Sequence, residues 1–295
     1  RFVVSGVSVA LGGGGSRGLA HIGALQVLEE EGIEIHSVSG ISAGAIAGAR
    51  WCMDPDAAVL ALRAIEVMSS PEFRNIRIGG MMLAAASDED NGPFQAIRSL
   101  LRRGLHLANL ARRPGVIEEG VLEQLIDILV GAGDFEDCRV PFQVVALDLL
   151  EARMVTIKSG SLAEAVCASS AIPGVFGAVE REGMLLCDAG AVSSVPVAAA
   201  RAASPDSVVL AIDPSRRLLR RKEIDTGMES LQRIATITRN WLTEVELEEA
   251  DIVVRPRVGQ RTWVDMSNLS SIVEAGRDAM KQALPQLHEA IVAHQ

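Results

Sequence analysis

The chain has 295 residues, of which 48% are hydrophobic and 22% charged, and its mean hydropathy of +0.25 excludes disorder over most of its length. A formal net charge of −10, an aromatic content of 3% and the absence of tyrosine exclude a polyanion-coating role and a stacking-based binder of single strands, so no nucleic-acid partner is expected. The 27 glycines and 11 prolines follow no triplet period, which excludes a collagen-like chain.

In chain order, Val7 to Leu11 reads as a short buried strand, stopped by Gly12-Gly13-Gly14-Gly15. From Ser16 to Glu31 apolar residues recur at helical steps (Leu19, Ile22, Leu25, Leu28), with Gly32 as the stop. His36 to Ser39 is a second short strand. Gly40-Ile41-Ser42-Ala43-Gly44 follows, and an Ala- and Gly-rich helix runs to Trp51. Strand, loop, helix, strand, turn and helix in this order predict a parallel sheet covered by helices.

Further on, helices are expected over Asp56 to Met68, Phe94 to Leu110 and Glu118 to Val130, with an acidic Asp88-Glu89-Asp90 cluster between the first two. Strands are expected at Val140 to Leu147, Met154 to Ile157, Met184 to Cys187, Val208 to Ile212 and Ile252 to Val254. A helix begins at Leu162, and long helices fill about 223–249 and 270–294. No repeat or low-complexity linker divides the chain. One domain over 1–295 is expected, with a core of about 7–196, a helical insertion of about 70–135, and C-terminal strands and helices over 197–295.

The four cysteines (Cys52, Cys138, Cys167, Cys187) are far apart and form no C-x-x-C pair, so neither a metal site nor a cofactor is expected. Scattered thiols fit a reducing compartment. No apolar run reaches the ~18 residues of a membrane span, and Arg1-Phe2-Val3-Val4 lacks the make-up of a signal peptide. A cytoplasmic location is the expectation, peripheral at a membrane if the basic segment described below makes contact.

Gly40-Ile41-Ser42-Ala43-Gly44 is a G-x-S-x-G turn between strand and helix. Small neighbours let the chain reverse sharply and lift the Ser42 hydroxyl to the N-terminus of the next helix, where the dipole favours developing negative charge. The plainer reading is a Gly/Ser-rich turn. Gly13-x-Gly15-x-x-Gly18 also matches a dinucleotide loop, but that loop expects an acidic residue at the end of the second strand, and here the strand ends in Gly40-Ile41-Ser42. The other use of such a loop is an oxyanion hole, with exposed N–H groups of Gly13, Gly14 and Gly15.

A nucleophile needs a base. None of His21, His36, His106, His288 and His294 stands in a short loop after a strand. Asp188 does follow a predicted strand and precedes Ala189-Gly190, as a base or as an ordinary turn former. Arg17 either approaches a phosphate head group or is structural. Arg98, Arg102, Arg103, Arg112 and Arg113, beside Phe94, Ile97, Leu101 and Leu105, form a basic amphipathic helix over 94–113. It serves either as a peripheral membrane contact or as a core-facing helix with a solvated side. The basic residues of 216–222 read as a solvated loop or as partners of the acidic stretch 244–251.

Taken together, Gly13-Gly14-Gly15-Ser16-Arg17-Gly18, Gly40-Ile41-Ser42-Ala43-Gly44, Asp188-Ala189-Gly190 and the segment Ala168 to Phe176 resemble the patatin-like phospholipases, a family of serine lipid acyl hydrolases. The resemblance runs from about Val7 to Pro196. It implies a three-layer α/β/α fold with a mostly parallel sheet and a Ser–Asp dyad without histidine. By position, Ser42 is then the nucleophile and Asp188 the base. The loop Gly13, Gly14, Gly15, Ser16, Arg17 and Gly18 is the oxyanion hole, and Gly40, Ile41, Ala43 and Gly44 form the nucleophile elbow. The implied substrate is a phospholipid, lysophospholipid or other acyl ester. An acyltransferase using the same serine, or a weakly catalytic regulatory protein, are the alternatives. The family usually has Asp-Gly-Gly or Asp-Gly-Ala where this chain has Asp188-Ala189-Gly190, and the added methyl is expected to restrict the backbone after the base.

Overall fold

The computed structural model describes residues 6–73, 115, 117–215, 218, 220, 223–259 and 261–294. The expected basic helix 94–113, the acidic cluster 88–90 and much of the 70–135 insertion lie outside the described residues.

The chain begins with β1 (Val7–Leu11), all five residues buried, then a 3-10 turn (Gly15–Gly18) and α1 (Leu19–Glu30). β2 (Ile35–Gly40) and α2 (Ala43–Met53) follow, and β2 pairs with β1 in parallel. A parallel pair needs a crossover, and α1 supplies it. α3 (Ala57–Ser69) starts at Asp56, whose carboxylate accepts the N–H of Val59 at 2.9 Å, an N-cap bond. α4 (Val121–Leu129), β3 (Phe142–Asp148), β4 (Arg153–Ile157) and α5 (Leu162–Ser170) come next. They lead into β5 (Val179–Arg181), β6 (Met184–Asp188), α6 (Val197–Ala203), β7 (Val208–Ile212), α7 (Gly227–Leu247), β8 (Ile252–Val254) and α8 (Leu269–Ala293).

The strands form one eight-stranded sheet in the order β5-β6-β3-β2-β1-β7-β8, with β4 paired to β3. β8, β7, β1, β2 and β3 run parallel, whereas β4, β5 and β6 join antiparallel. Alternation along β1 sorts the two faces. Val7, Val9 and Leu11 enter the main core with α1, α2, α3, α5 and α8, while Ala10 faces Val197 and Ala200 of α6 and Leu247 of α7. This is the three-layer α/β/α arrangement. β5 and α6 were not expected from sequence. β5 and β6 form a hairpin whose turn, Glu182-Gly183, has φ of 52° and 79°, the backbone of a two-residue primed turn.

The register around β3 positions the site. On the edge of β3 opposite β4, Gly40 at the end of β2 lies against Val144, and Asp188 at the end of β6 lies against Ala146. β2 is parallel to β3 and β6 antiparallel, so their C-terminal ends meet head to head. They are two residues of β3 apart, about 7 Å at the usual strand rise.

Candidate active site

At the end of β2 the chain turns within five residues. Ile41 N–H donates to Leu11 O at 3.0 Å and Gly44 N–H to Ile41 O at 2.8 Å. A Cβ on Gly44 would lie 2.1 Å from Leu11 O, and one on Gly40 2.6 Å from the Ala45 Cα, so both glycines are required by close backbone approach. Ser42 sits at the apex with φ 53° and ψ −119°, a conformation that costs about 1–3 kcal/mol for a residue with a side chain. The surroundings hold it there. Ser42 N–H donates to Ser169 Oγ at 2.9 Å, and that hydroxyl donates in turn to Val145 O at 2.7 Å. Ser169, at the end of α5, is fully buried.

Asp188 reaches the same point from β6. Its backbone N–H donates to Ala171 O at 3.0 Å, and its Oδ1 accepts the N–H of Gly190 at 2.8 Å. The Ser42 side chain comes near enough to that carboxylate to favour its charged form. Burial raises the Asp188 pKa from 3.8 to about 6. The Gly190 N–H, the Ser42 hydroxyl and the charge of Arg239 oppose that rise. Ala189 is fully buried against Ile41 and Val145 and lies in a 3-10 turn with no positive φ. The expected restriction by its methyl is therefore corrected: the backbone after Asp188 suits alanine, and the methyl fills space beneath the pair.

The glycine loop passes beside Ser42, since a Cβ on Gly13 would lie 3.5 Å from the Ser42 Cβ. Its amides are not equivalent. Gly13 N–H donates to Ser194 O and Ser16 N–H to Trp263 O, both at 2.8 Å, while Arg17 N–H donates to Gly14 O at 3.3 Å. Among the described residues, the N–H groups of Gly14 and Gly15 have no protein acceptor. The expectation that Gly13 presents a free amide is thus corrected, and the amides of Ser16 and Arg17 are likewise engaged. Arg17 Nε donates to Gly14 O at 3.0 Å. In a trans peptide this turns the Gly15 N–H away from Arg17. Gly15 has φ 59°, and a Cβ there would meet Trp263 O at 2.3 Å.

The described histidines stand elsewhere. His21 is buried, and burial lowers its pKa to about 4 against the opposing bond to Gly12. It is neutral, and its Nε2 donates to Gly12 O at 2.7 Å, clamping the start of the glycine loop. His36 bonds Ser207 Oγ, and His288 and His294 lie on or just beyond α8. His106 falls outside the described residues.

Sequence reasoning missed four contributors. Ser169 lay inside the quoted segment from Ala168 to Phe176 but was not singled out. Arg239 and Thr243 belong to the middle and end of α7, where no local pattern marks them, and Glu246 was noticed only as part of the acidic stretch 244–251. Thr243 Oγ1 accepts the N–H of Ser194 at 3.0 Å, and Glu246 accepts the Ser193 hydroxyl, so α7 braces the segment after Asp188.

Behind Ser42 a largely apolar cavity of about 350 Å³ opens between α2, α3 and α4. Ala43, Ile46 and Ala47 form one wall and Leu60, Val67 and Ile126 another. It extends to Arg50, whose Nη1 donates to Val130 O at 3.2 Å.

A serine at a sharp strand-to-helix turn beside a buried carboxyl, on a mostly parallel sheet between helical layers, defines a class: an α/β/α fold that brings a G-x-S-x-G turn and an acid to one sheet edge. Comparison with known sequences gives the family. The profile of the patatin-like phospholipases matches residues 9–201, and the chain belongs to that family. It is similar to an uncharacterised NTE family protein of Mycobacterium tuberculosis, 32% identical over 192 residues, covering 65% of this chain and 44% of the relative. A second such protein of the same organism is 27% identical over 304 residues, covering 94% of this chain and 46% of the relative. The chain thus spans less than half the length of these curated relatives. Among solved structures it resembles VipD from Legionella pneumophila with a TM-score of 0.49 at 15% identity, over 95% of this chain and 66% of that one. It also resembles human GIVD cytosolic phospholipase A2 in complex with methyl gamma-linolenyl fluorophosphonate, with a TM-score of 0.42 at 12% identity, over 99% of this chain and 60% of that one.

Proposed function

We propose that this chain hydrolyses acyl esters of phospholipids or lysophospholipids through an acyl-Ser42 intermediate, with Asp188 as the base. The observation that carries this reading is the closeness of the Ser42 side chain to the buried Asp188 carboxylate, with Ser42 lining an apolar cavity of about 350 Å³. Asp188 accepts the Ser42 proton as the oxygen attacks the ester carbonyl, and the carbonyl oxygen becomes an oxyanion. The N–H groups of Gly14 and Gly15, without protein acceptors among the described residues, donate to it, and the N-terminus of α2 adds its dipole. Collapse breaks the ester bond, and the leaving alcohol takes the proton from Asp188. Water then attacks the acyl-serine, giving its proton to Asp188, and the fatty acid departs as that proton returns to Ser42.

A pKa near 6 suits this exchange better than that of a solvated aspartate, because the proton is accepted and returned near neutrality. Strain at Ser42 holds the hydroxyl where attack needs it, as the N–H bond to Ser169 prevents relaxation. The test is labelling by an alkyl fluorophosphonate together with turnover of a p-nitrophenyl ester. Wild type is expected to show both, and Ser42→Ala neither. Labelling that persists at another residue in Ser42→Ala overturns the mechanism.

A further inference from the structure

α7 is 21 residues long, about 30 Å at the helical rise. Its two sides differ. Thr243 and Leu247 are buried against the body of the protein. On the other side Leu231, Ile234, Trp241, Leu242 and Val245 are exposed, Trp241 by 73% and Leu231 by 63%. Large apolar side chains gathered on one exposed stripe mark an interaction surface. The main stripe runs through 231, 234, 238, 241 and 245 in steps of three, four, three and four residues, with exposed Thr238 at its centre. Such a narrow seam is that of two paired helices, whereas a helix lying on a broad apolar surface has a wider apolar face.

The seam is also nearly symmetric about Thr238. Leu231 and Val245 lie seven residues to either side, Ile234 and Leu242 four, and Ala235 and Trp241 three. In an antiparallel pair crossing at Thr238, each of these meets its counterpart on the other copy. The largest side chain, Trp241, then falls opposite the smallest, Ala235, so bulk meets space. A lipid surface is the poorer partner, since α7 itself carries three glutamates and two arginines rather than the Lys/Arg-rich polar face of an interfacial helix.

We propose that this face of α7 receives a second copy of the chain, the two helices packing antiparallel about Thr238 in a two-fold dimer. Each residue i then contacts j and j contacts i, the pattern of an isologous interface. One helix face is a small interface, so dissociation is expected at micromolar concentration, ~10 µM. The inner face of the same helix braces the segment after Asp188 through Thr243 and Glu246. Dimerisation therefore steadies the helix that supports the candidate base.

The experiment is sedimentation equilibrium over a concentration series, with site-directed cross-linking by a short bis-maleimide. Cys138→Ser is the background, because the other three thiols are buried. The mass is expected to rise toward twice 31.3 kDa, and Trp241→Glu, at an exposed site, to weaken association by at least ~30-fold. Thr238→Cys is expected to cross-link to itself. Leu231→Cys is not, since two copies of position 231 stand about 21 Å apart along an antiparallel pair, and it cross-links only when combined with Val245→Cys. A monomer at every concentration up to millimolar overturns the proposal. So does equal self-cross-linking at 231 and 238. Binding of a monomer to anionic vesicles that Trp241→Glu abolishes would assign the face to lipid instead, and also overturns it.

Discussion

Replacing Asp188 by asparagine sets stability against function in a pH-dependent way. The folded carboxyl titrates at about 6 instead of 3.8, chiefly because it is buried, with the Gly190 N–H, the Ser42 hydroxyl and Arg239 only partly offsetting burial. In the unfolded chain the same group ionises at the lower value. Between the two the folded state keeps a proton that the unfolded state has lost. Stability from this group is present in full below about pH 4 and falls as pH rises through the folded value near 6. Two units at 1.36 kcal/mol each amount to about 3 kcal/mol, and with Asp188 only 6% exposed little of this is screened by water. Asparagine keeps an oxygen for the Gly190 N–H and does not titrate. Asp188→Asn is therefore expected to match wild type near pH 4 and to exceed it by about 3 kcal/mol near pH 8 in urea denaturation, while ester turnover is lost. In wild type, kcat/KM is expected to rise with pH through about 6. A stability difference that does not change with pH, or an asparagine variant less stable near pH 8, refutes the reasoning.

Three other substitutions address the surrounding structure. Ser169→Ala leaves the buried Ser42 N–H and Val145 O without a partner; a loss of about 2 kcal/mol is expected by denaturation, with ester turnover falling further than the population of folded protein does. Ala47→Phe fills the cavity behind Ser42. Because each buried methylene is worth about 0.8 kcal/mol, or roughly fourfold, excluding two or three of them lowers kcat/KM for long-chain esters by ~10–60-fold, while an acetyl ester is cleaved nearly as in wild type. Ala189→Gly removes a methyl from the cluster with Ile41 and Val145 and is expected to cost about 1 kcal/mol without raising turnover; a large gain in activity would restore the view that alanine handicaps the site.

What was legible in the sequence was what short-range sterics dictate. Gly40 and Gly44 of the elbow and Gly15 and Gly18 of the loop have no room for a Cβ, so their spacing announces the turns directly. β1, β7 and β8 could be read from runs of β-branched residues, and β7 and β8 fall at the expected residues. The meeting of Ser42 and Asp188 was not a local property. It depends on β6 running antiparallel on the same edge of β3 that β2 occupies, and only the family resemblance suggested it. The exclusion of Gly13 as a donor was equally invisible, because its acceptor, Ser194 O, lies some 180 residues away in the chain. Arg239, Thr243 and Glu246 resemble any polar positions on a long helix until α7 is packed against the segment that follows Asp188.

The head-to-head meeting of β2 and β6 along β3 means that the gap between hydroxyl and acid is measured on a third strand, from Val144 to Ala146. The length of chain connecting the two does not enter the measurement. Insertions and deletions between Ser42 and Asp188 can accumulate without moving either one, provided that β3 keeps its pairing. A single residue inserted between Val144 and Ala146, by contrast, would push the pair apart by a full strand step and turn one partner toward the wrong face of the sheet.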